Sequence, residues 1–226
     1  MTPILYSGSL SMFGAKAEIA LREKDVDFEL VMVPFVKGDR YEPKHPEVTR
    51  INPKGQVPVL VHGDVELFDS TQILEYLEDA FPEPRLWPDN IKARALARQL
   101  ELKSDEIVFM NIARLFGLEE TPDDPRAVAA REKAAGHYRE IETYLMEGDY
   151  LAGRYTFADI AFFMAQFFGE RKGALLTDAT PRLLAWRARV LARPAVRKVI
   201  GRMGAWLASE GRPVPDYLTG TVAAWG

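Results

Sequence analysis

The chain of 226 residues contains no cysteine, and this absence excludes several kinds of chemistry. Without cysteine there is no disulfide, no protein thiol nucleophile, no cysteine-ligated zinc site and no CxxC redox pair. Any thiol chemistry must therefore use a thiol that a ligand brings to the protein. Histidine is also scarce, since His45, His62 and His137 stand far apart and their spacing fits no metal motif. We expect these residues at the surface or in turns, and we predict no metal site.

The sequence also lacks a basic block and a long apolar run. The net charge is −4, so nucleic acid is not an expected partner. No apolar stretch approaches the roughly 20 residues of a membrane-spanning helix, so no membrane partner is expected either. The first residues carry no positively charged stretch, and we therefore expect no signal peptide and a cytoplasmic location. A hydrophobic content of 47% is ample for a packed core.

The most informative segment runs from Asn52 to Ser70. Pro58 interrupts an apolar, strand-like run, and proline cannot donate a hydrogen bond to a sheet. The run therefore belongs at a sheet edge, at a bulge or where another chain docks. A short turn separates it from a second predicted strand, and Asp69 and Ser70 follow where a helix should begin. An open strand edge beside a helix N-terminus forms a receptor for a peptide backbone and its carboxylate.

Hydrophobic periodicity divides the chain into two predicted domains. Residues 1–82 alternate strand and helix patterns in the order βαβ, α, ββα, which predicts an α/β layer. A proline-rich linker follows, and residues 90–215 are predicted to be all-helical, with a tail at 216–226. The predicted strands are 4–6, 28–33, 57–60 and 65–68, and the main predicted helices are 14–24, 42–51, 71–80, 91–118, 125–146 and 156–168. The last of these is apolar almost all round, so it should lie buried, and Thr156 and Asp159 have the capping-box spacing.

The combination around Pro58 resembles the glutathione site of the cytosolic glutathione transferase superfamily. In that family the X-Pro bond is cis, the residue before it pairs with the cysteinyl part of glutathione, and an acidic residue followed by Ser holds the γ-glutamyl end. The resemblance continues at 153–161 and 193–198 and thus covers nearly the whole chain. It implies a thioredoxin-like α/β N-terminal domain, an all-α C-terminal helical bundle and a homodimer.

The resemblance also implies the residues that hold glutathione. These are Gln56, Val57, Pro58, Asp69 and Ser70. Lys44 matches a phi-type segment in which a lysine meets the glycyl carboxylate, and the alternative is a solvated lysine. Glutathione is expected as a co-substrate, without a metal.

The sequence offers several candidates for the hydroxyl group that activates the thiol. In the phi, theta and zeta classes it belongs to a Ser before the first helix, which aligns with Ser11. The Pro that usually follows is Met12 here, so Ser9 and Ser7 stay open as alternatives. Tyr6 lies where tyrosine-type classes carry their activating hydroxyl, and activation without any side chain is the last alternative. The mixed-disulfide chemistry of omega- and beta-type enzymes is not expected in a chain without cysteine.

The second substrate is expected between the domains, against apolar side chains. The predicted walls are Met12, Phe13, Phe35, Met110 and Phe116, with Ala113, Trp206, Tyr217 and Trp225 as further candidates. Asp105 is predicted to approach the ligand of the partner subunit. The implied function is conjugation of glutathione to small hydrophobic electrophiles, or peroxide reduction. Two alternatives stay open: a glutathione-dependent β-etherase, similar to bacterial enzymes that cleave lignin-derived aryl ethers, and a non-catalytic interaction protein with the same fold.

Overall fold

The computed structural model describes residues 1–34, 44–146 and 148–218. The chain divides into two compact units, one formed by Met1–Arg85 with Ala195–Arg212 and the other by Leu86–Pro194 with residues 213–218. The division differs from the predicted domains because the segment Ala195–Arg212 belongs with the N-terminal unit. Among the described helices, none combines the length and apolar character that a bilayer crossing requires.

The N-terminal unit contains a mixed sheet with the strand order β2-β1-β3-β4 in the described residues. The strands are β1 (Ile4–Gly8), β2 (Glu29–Val33), β3 (Val59–His62) and β4 (Val65–Phe68). The helices of its first part are α1 (Met12–Glu23), α2 (Pro46–Ile51) and α3 (Ser70–Ala80). β1 is parallel to β2 and antiparallel to β3, and β3 forms an antiparallel hairpin with β4. The predicted order of strands and helices is confirmed.

β1 is longer than predicted. Ser7 and Gly8, which we expected in a loop, pair in parallel with Met32 and Val33 at the end of β2. Ser and Gly have low strand propensity, so the local sequence favours a loop. The pairing with β2 overrides that preference, and it places Ser7 inside the sheet.

The second unit is helical, as predicted. Its helices are α4 (Ile91–Lys103), α5 (Met110–Ile112), α6 (Pro125–Glu142), α7 (Phe157–Arg171) and α8 (Pro181–Leu191). A π-helical segment, Ser104–Phe109, joins α4 to α5, and a 3₁₀ turn at Ala113–Leu115 follows. The helix that we predicted as far as Leu118 therefore ends earlier. Phe116 is extended, and Gly117 has φ 81°, which is a conformation that glycine adopts readily.

α7 is the buried helix of this unit, as its apolar sequence predicted. Every residue from Phe157 to Gly169 is buried. The predicted capping box is present, because the Thr156 Oγ1 accepts from the Ala158 N–H while the Asp159 carboxylate accepts from the Thr156 N–H at 2.9 Å. The ring of Trp186 in α8 packs on Phe162 at a centroid distance of 5.2 Å. The capping box and the apolar packing together stabilise this helix.

The last helix, α9 (Pro194–Ser209), is packed into the N-terminal unit. Its Arg202 forms an ion pair with Glu18 of α1, with 2.7 Å between Nη1 and Oε1. The Arg22 Nη2 also donates to the Glu18 Oε1, at 2.8 Å. Because Glu18 is buried, these two arginines compensate a carboxylate that would otherwise be costly to desolvate.

Candidate glutathione site

Three connections of the N-terminal unit meet at one end of its sheet. Tyr6 lies opposite Val59, and Val59 lies opposite Phe68. Because β1 and β4 are both antiparallel to β3, the end of β1, the start of β3 and the end of β4 coincide at this end. The loop to Ser11, the Val57-Pro58 segment and the Asp69-Ser70 pair are therefore neighbours. The N-termini of α1 and α3 begin here as well.

Ser11 is the N-cap of α1. Its backbone is extended, with φ −105° and ψ 117°, and its Oγ accepts a hydrogen bond from the Gly14 N–H at 3.0 Å. The hydroxyl proton of Ser11 is not used by that bond, so it is available to a ligand. No acidic residue stands in the first turn of α1, so the partial positive charge of the helix end is not neutralised there.

The alternative hydroxyl groups lie in different surroundings. Ser9 is half-buried in the turn that follows β1, whereas Ser7 is 1% exposed beneath α1. Tyr6 belongs to a core cluster with Val33, Val48, Val57 and Val59. Burial, together with Glu47 and Glu29, raises the pKa of the Tyr6 phenol, which makes its anion less accessible.

The loop before β3 presents the backbone of Val57. The Val57-Pro58 peptide bond is cis. Asn52 organises the loop, because its Nδ2 donates to the Gln56 carbonyl at 2.6 Å and its Oδ1 accepts from the Lys54 N–H at 3.0 Å. Among the described residues, no backbone hydrogen bond uses the N–H or the C=O of Val57. These two backbone groups are therefore open to hydrogen bonding with an added peptide strand. We did not predict this role for Asn52 from the sequence, although an Asn before a Pro-Lys-Gly turn is a signal of it.

Asp69 and Ser70 start α3. The Asp69 carboxylate accepts from the N–H groups of Thr71 and Gln72, at 3.0 and 3.3 Å. Asp69 has φ 74° and ψ 128°, a conformation that costs a non-glycine residue about 1–3 kcal/mol. Ser70 is buried at the first helical position. A strained residue at a helix N-terminus often marks a binding site, because the surrounding structure must hold it there.

Lys44 and Gln56 lie beside this loop. The Lys44 Nζ donates to the Gly55 carbonyl at 3.2 Å, and its aliphatic chain passes over Gly55. The ammonium group is exposed. The Gln56 side chain is exposed, while its carbonyl is held by Asn52. Both residues are thus at the surface of the unit that carries the Val57 backbone.

The residues predicted to contact the second substrate are divided between the two units. In the N-terminal unit, Met12 is buried and Phe13 is half-buried at the start of α1. In the helical unit, Met110 is 52% exposed, and the Phe116 ring lies 6.2 Å from that of Phe109. The remaining candidates are half-buried at Ala113, Trp206 and Tyr217, whereas Phe35 and Trp225 lie outside the described residues. Both units therefore carry partly exposed apolar side chains.

Asp105 lies buried in the helical unit. Asp105 is 5% exposed within the π-helical segment, so its predicted contact with a partner's ligand finds no support in this chain. Across the described residues, no three His, Asp or Glu side chains are grouped as a metal site would require.

Comparison with known proteins identifies both units. The model of the glutathione S-transferase N-terminal domain matches residues 5–85, and that of the C-terminal domain matches residues 106–194. A glutathione S-transferase of Hyoscyamus muticus is 32% identical over 208 residues, which cover 87% of this chain and 96% of that protein.

Solved structures agree with the sequence matches. A glutathione S-transferase from Rhodospirillum rubrum F11 gives a TM-score of 0.75 at 29% identity, over 88% of this chain and 92% of that one. The β-etherase LigF from Sphingobium sp. strain SYK-6 gives 0.72 at 28% identity, over 88% and 98%. Together with the predicted and observed fold, these matches show that the chain belongs to the glutathione S-transferase family.

Proposed function

We propose that this protein binds glutathione in its N-terminal unit, stabilises the thiolate and conjugates it to small hydrophobic electrophiles. The Val57 backbone pairs with the cysteinyl part, and the Ser70 hydroxyl with the N-terminus of α3 receives the γ-glutamyl carboxylate. Asp69 faces the γ-glutamyl ammonium group, and Lys44 meets the glycyl carboxylate. Gln56 and Pro58 complete the contacts.

One observation carries this proposal. The register of the sheet brings an unpaired backbone segment and two helix N-termini to the same end of one unit. A peptide with carboxylates and a thiol matches that set, because helix N-termini favour anions and an open strand edge favours a peptide backbone. The Asp69 carboxylate can also bind an ammonium group, since a carboxylate accepts more hydrogen bonds than the two that Asp69 receives here.

The thiol must ionise before it reacts. A thiol with a pKa of about 8.5 is only a few per cent thiolate at neutral pH. Lowering that pKa by about two units requires roughly 2.7 kcal/mol of differential stabilisation. A hydrogen bond from Ser11 to the charged sulfur supplies about 1.5–3 kcal/mol, and the N-terminus of α1 adds about 0.3–1 kcal/mol.

The thiolate then attacks an electrophilic carbon. The sulfur forms the new S–C bond, and the leaving group departs with its electron pair. The apolar part of this substrate is proposed to lie against Phe13, which is half-buried at the start of α1. We place the protein in the cytoplasm, as a homodimer that removes reactive electrophiles.

The binding part is tested with Ser70→Ala. Loss of a hydrogen bond to the γ-glutamyl carboxylate should weaken glutathione binding by about 1–2 kcal/mol, which is roughly five- to thirtyfold. Thermal stability should change little, because Asp69 rather than Ser70 caps α3. Calorimetric titration with glutathione measures the affinity, and turnover of an aryl halide by the unmodified protein measures conjugation.

Ser104→Ala is the matched control, because Ser104 is also a buried helical serine and its Oγ donates to the Leu100 carbonyl at 2.7 Å. It should leave glutathione affinity unchanged. Equal affinities for the unmodified protein and for Ser70→Ala would remove Ser70 from the site. No detectable binding by the unmodified protein would favour a non-catalytic interaction protein.

The dimer is a separate expectation. Leu102 and Ile107 are 58% and 47% exposed along one helical stretch, and a partner subunit would bury this apolar surface. Light scattering at micromolar concentration should give about twice the mass of one chain. Leu102→Glu should shift the protein toward monomer, whereas Leu175→Glu, at an exposed position outside that stretch, should not. A monomeric unmodified protein would contradict this expectation.

A further inference from the structure

Ser7 buries a hydroxyl group that has no partner. The residue is 1% exposed, and among the described residues its Oγ makes no hydrogen bond. Burying an unpaired hydroxyl costs free energy, and an alanine would occupy the same place without that cost. Stability alone therefore gives no reason for a serine at this position.

The hydroxyl points to the first turn of α1. A Cβ added to Gly14 would lie 2.2 Å from the Ser7 Oγ and 3.1 Å from the Ser11 Oγ. The two oxygens are thus separated by no more than the sum of these distances. One O–H···O bond spans about 2.7–2.8 Å, so this separation is short enough for a direct bond after rotation of Ser7 or for a bridge through one water. The absence of a side chain at Gly14 keeps this space open.

Ser11 has one acceptor position left for such a donor. A serine hydroxyl offers one proton and two lone pairs. The Gly14 N–H occupies one lone pair of the Ser11 Oγ, at 3.0 Å. If the Ser7 hydroxyl occupies the other, the Ser11 proton must take the one remaining direction around the oxygen. Each hydrogen bond received also polarises the O–H group and strengthens the bond that it donates.

We propose that Ser7 is a positioning residue, whose hydroxyl donates to the Ser11 Oγ, directly or through one water, and directs the Ser11 proton toward the glutathione sulfur. This inference rests on the proposed function, in which Ser11 donates to the thiolate. Ser7 itself does not touch glutathione, because it is buried beneath α1. Its effect should therefore appear in the ionisation of the bound thiol and leave the affinity for glutathione unchanged.

The test is Ser7→Ala, with the pKa of bound glutathione measured by thiolate absorbance. We expect that pKa to rise by about half a unit to one unit, and conjugation of an aryl halide at pH 6.5 to fall about two- to fivefold. KM for glutathione should stay constant, and thermal stability should not fall. If Ser7 had only a structural role, Ser7→Ala would change thermal stability and leave the pKa of the bound thiol unchanged.

Two further variants and one control sharpen the test. In a Ser11→Ala background, Ser7→Ala should cause no additional shift, because Ser7 acts through Ser11. Ser7→Gly removes the same hydroxyl group and adds no atom near Ser11 or Gly14. It should raise the thiol pKa as well, so the inference stays testable if Ser7→Ala does not fold. Ser104→Ala, which alters a buried serine in the other unit, should change neither the thiol pKa nor the affinity for glutathione.

The outcomes separate this inference from the proposed function. If Ser11→Ala raises the thiol pKa and Ser7→Ala does not, Ser7 has no positioning role and the proposed function stands. A shift from Ser7→Ala that persists in full without Ser11 would also overturn the inference. A bound thiol in the unmodified protein that titrates as it does in water would overturn the proposed function, and the role of Ser7 with it.

Discussion

Ser11→Ala should raise the pKa of the bound thiol by a unit or more while leaving glutathione affinity nearly intact. The reason is that the lost bond is one to the charged sulfur, worth roughly 1.5–3 kcal/mol. Conjugation at neutral pH should fall about three- to twenty-fivefold, and it should recover as the pH rises and the thiol ionises unaided. Thiolate absorbance and the rate with an aryl halide, both followed against pH, measure the effect.

Ser11→Ala also removes a helix cap, so a control for that loss is required. Asn90 caps α4 by accepting from the Lys92 and Ala93 N–H groups, at 3.0 and 3.1 Å. Asn90→Ala should lower stability by about 1 kcal/mol, as Ser11→Ala should, but it should leave the thiol pKa unchanged. Superimposable titration curves for Ser11→Ala and the unmodified protein would show that Ser11 is not the activator. Ser9, in the same connection, would then be the next hydroxyl to test.

The parts of the fold that the sequence predicts well depend on neighbouring residues. The α7 cap is an example, because Thr156 and Asp159 are three residues apart and the apolar run follows directly. Pro58 is another, since a proline in an apolar run is informative without any knowledge of its partners. Strand and helix order in the N-terminal unit followed from periodicity in the same way.

The parts that sequence reasoning missed depend on distant or subtle features. Arg202 pairs with Glu18 across 184 positions, so the grouping of α9 with the N-terminal unit has no local signal. The π-helical segment Ser104–Phe109 has side chains that fit an α-helix equally well, and only the hydrogen-bond register distinguishes them. Gly117 was a usable signal for the end of the preceding helix, because glycine favours the conformation found there.

In the candidate site, too, some features have a local sequence signal and others depend on distant residues. Asp69 and Ser70 were identified from their order before a helix, whereas the strain at Asp69 appears only in the backbone angles. Ser7 was one of several loop hydroxyls in the sequence. Its burial depends on the pairing of β1 with β2, and its proximity to Gly14 on the packing of α1 over the sheet.

Asp159→Ala should cause the largest loss of stability that we expect from a single substitution outside the site. The carboxylate accepts from the Leu151 N–H at 3.0 Å, the Thr156 N–H at 2.9 Å and the Trp186 Nε1 at 2.8 Å. Alanine would leave these buried donors unpaired, at about 1–3 kcal/mol each, partly offset by the burial cost of the carboxylate. We expect a net loss of about 3–5 kcal/mol in the free energy of unfolding, measured by urea denaturation.

Asp124→Ala is the matched control for that loss. Asp124 caps α6 and accepts from the Arg126 N–H at 2.8 Å, but this cap lies at the surface. Its removal should cost only about 1 kcal/mol, because water replaces the lost acceptor. Equal losses for the two variants would mean that the buried hydrogen bonds of Asp159 add nothing to an ordinary helix cap.

The pH dependence of stability gives an independent check on Asp159. Burial raises the pKa of its carboxyl group to about 6, against the hydrogen bonds from Trp186, Leu151 and Thr156, which lower it. Since an unfolded aspartate has a pKa of about 3.9, the folded protein keeps a proton that the unfolded chain has already released between those values. Stability from this group is therefore greatest at low pH and is lost as the pH rises through 6. Asp159→Asn removes the titration, so the unmodified protein should lose roughly 2 kcal/mol relative to it between pH 4.5 and 7. A difference that stays constant over this range would show that the folded-state pKa of Asp159 is not raised.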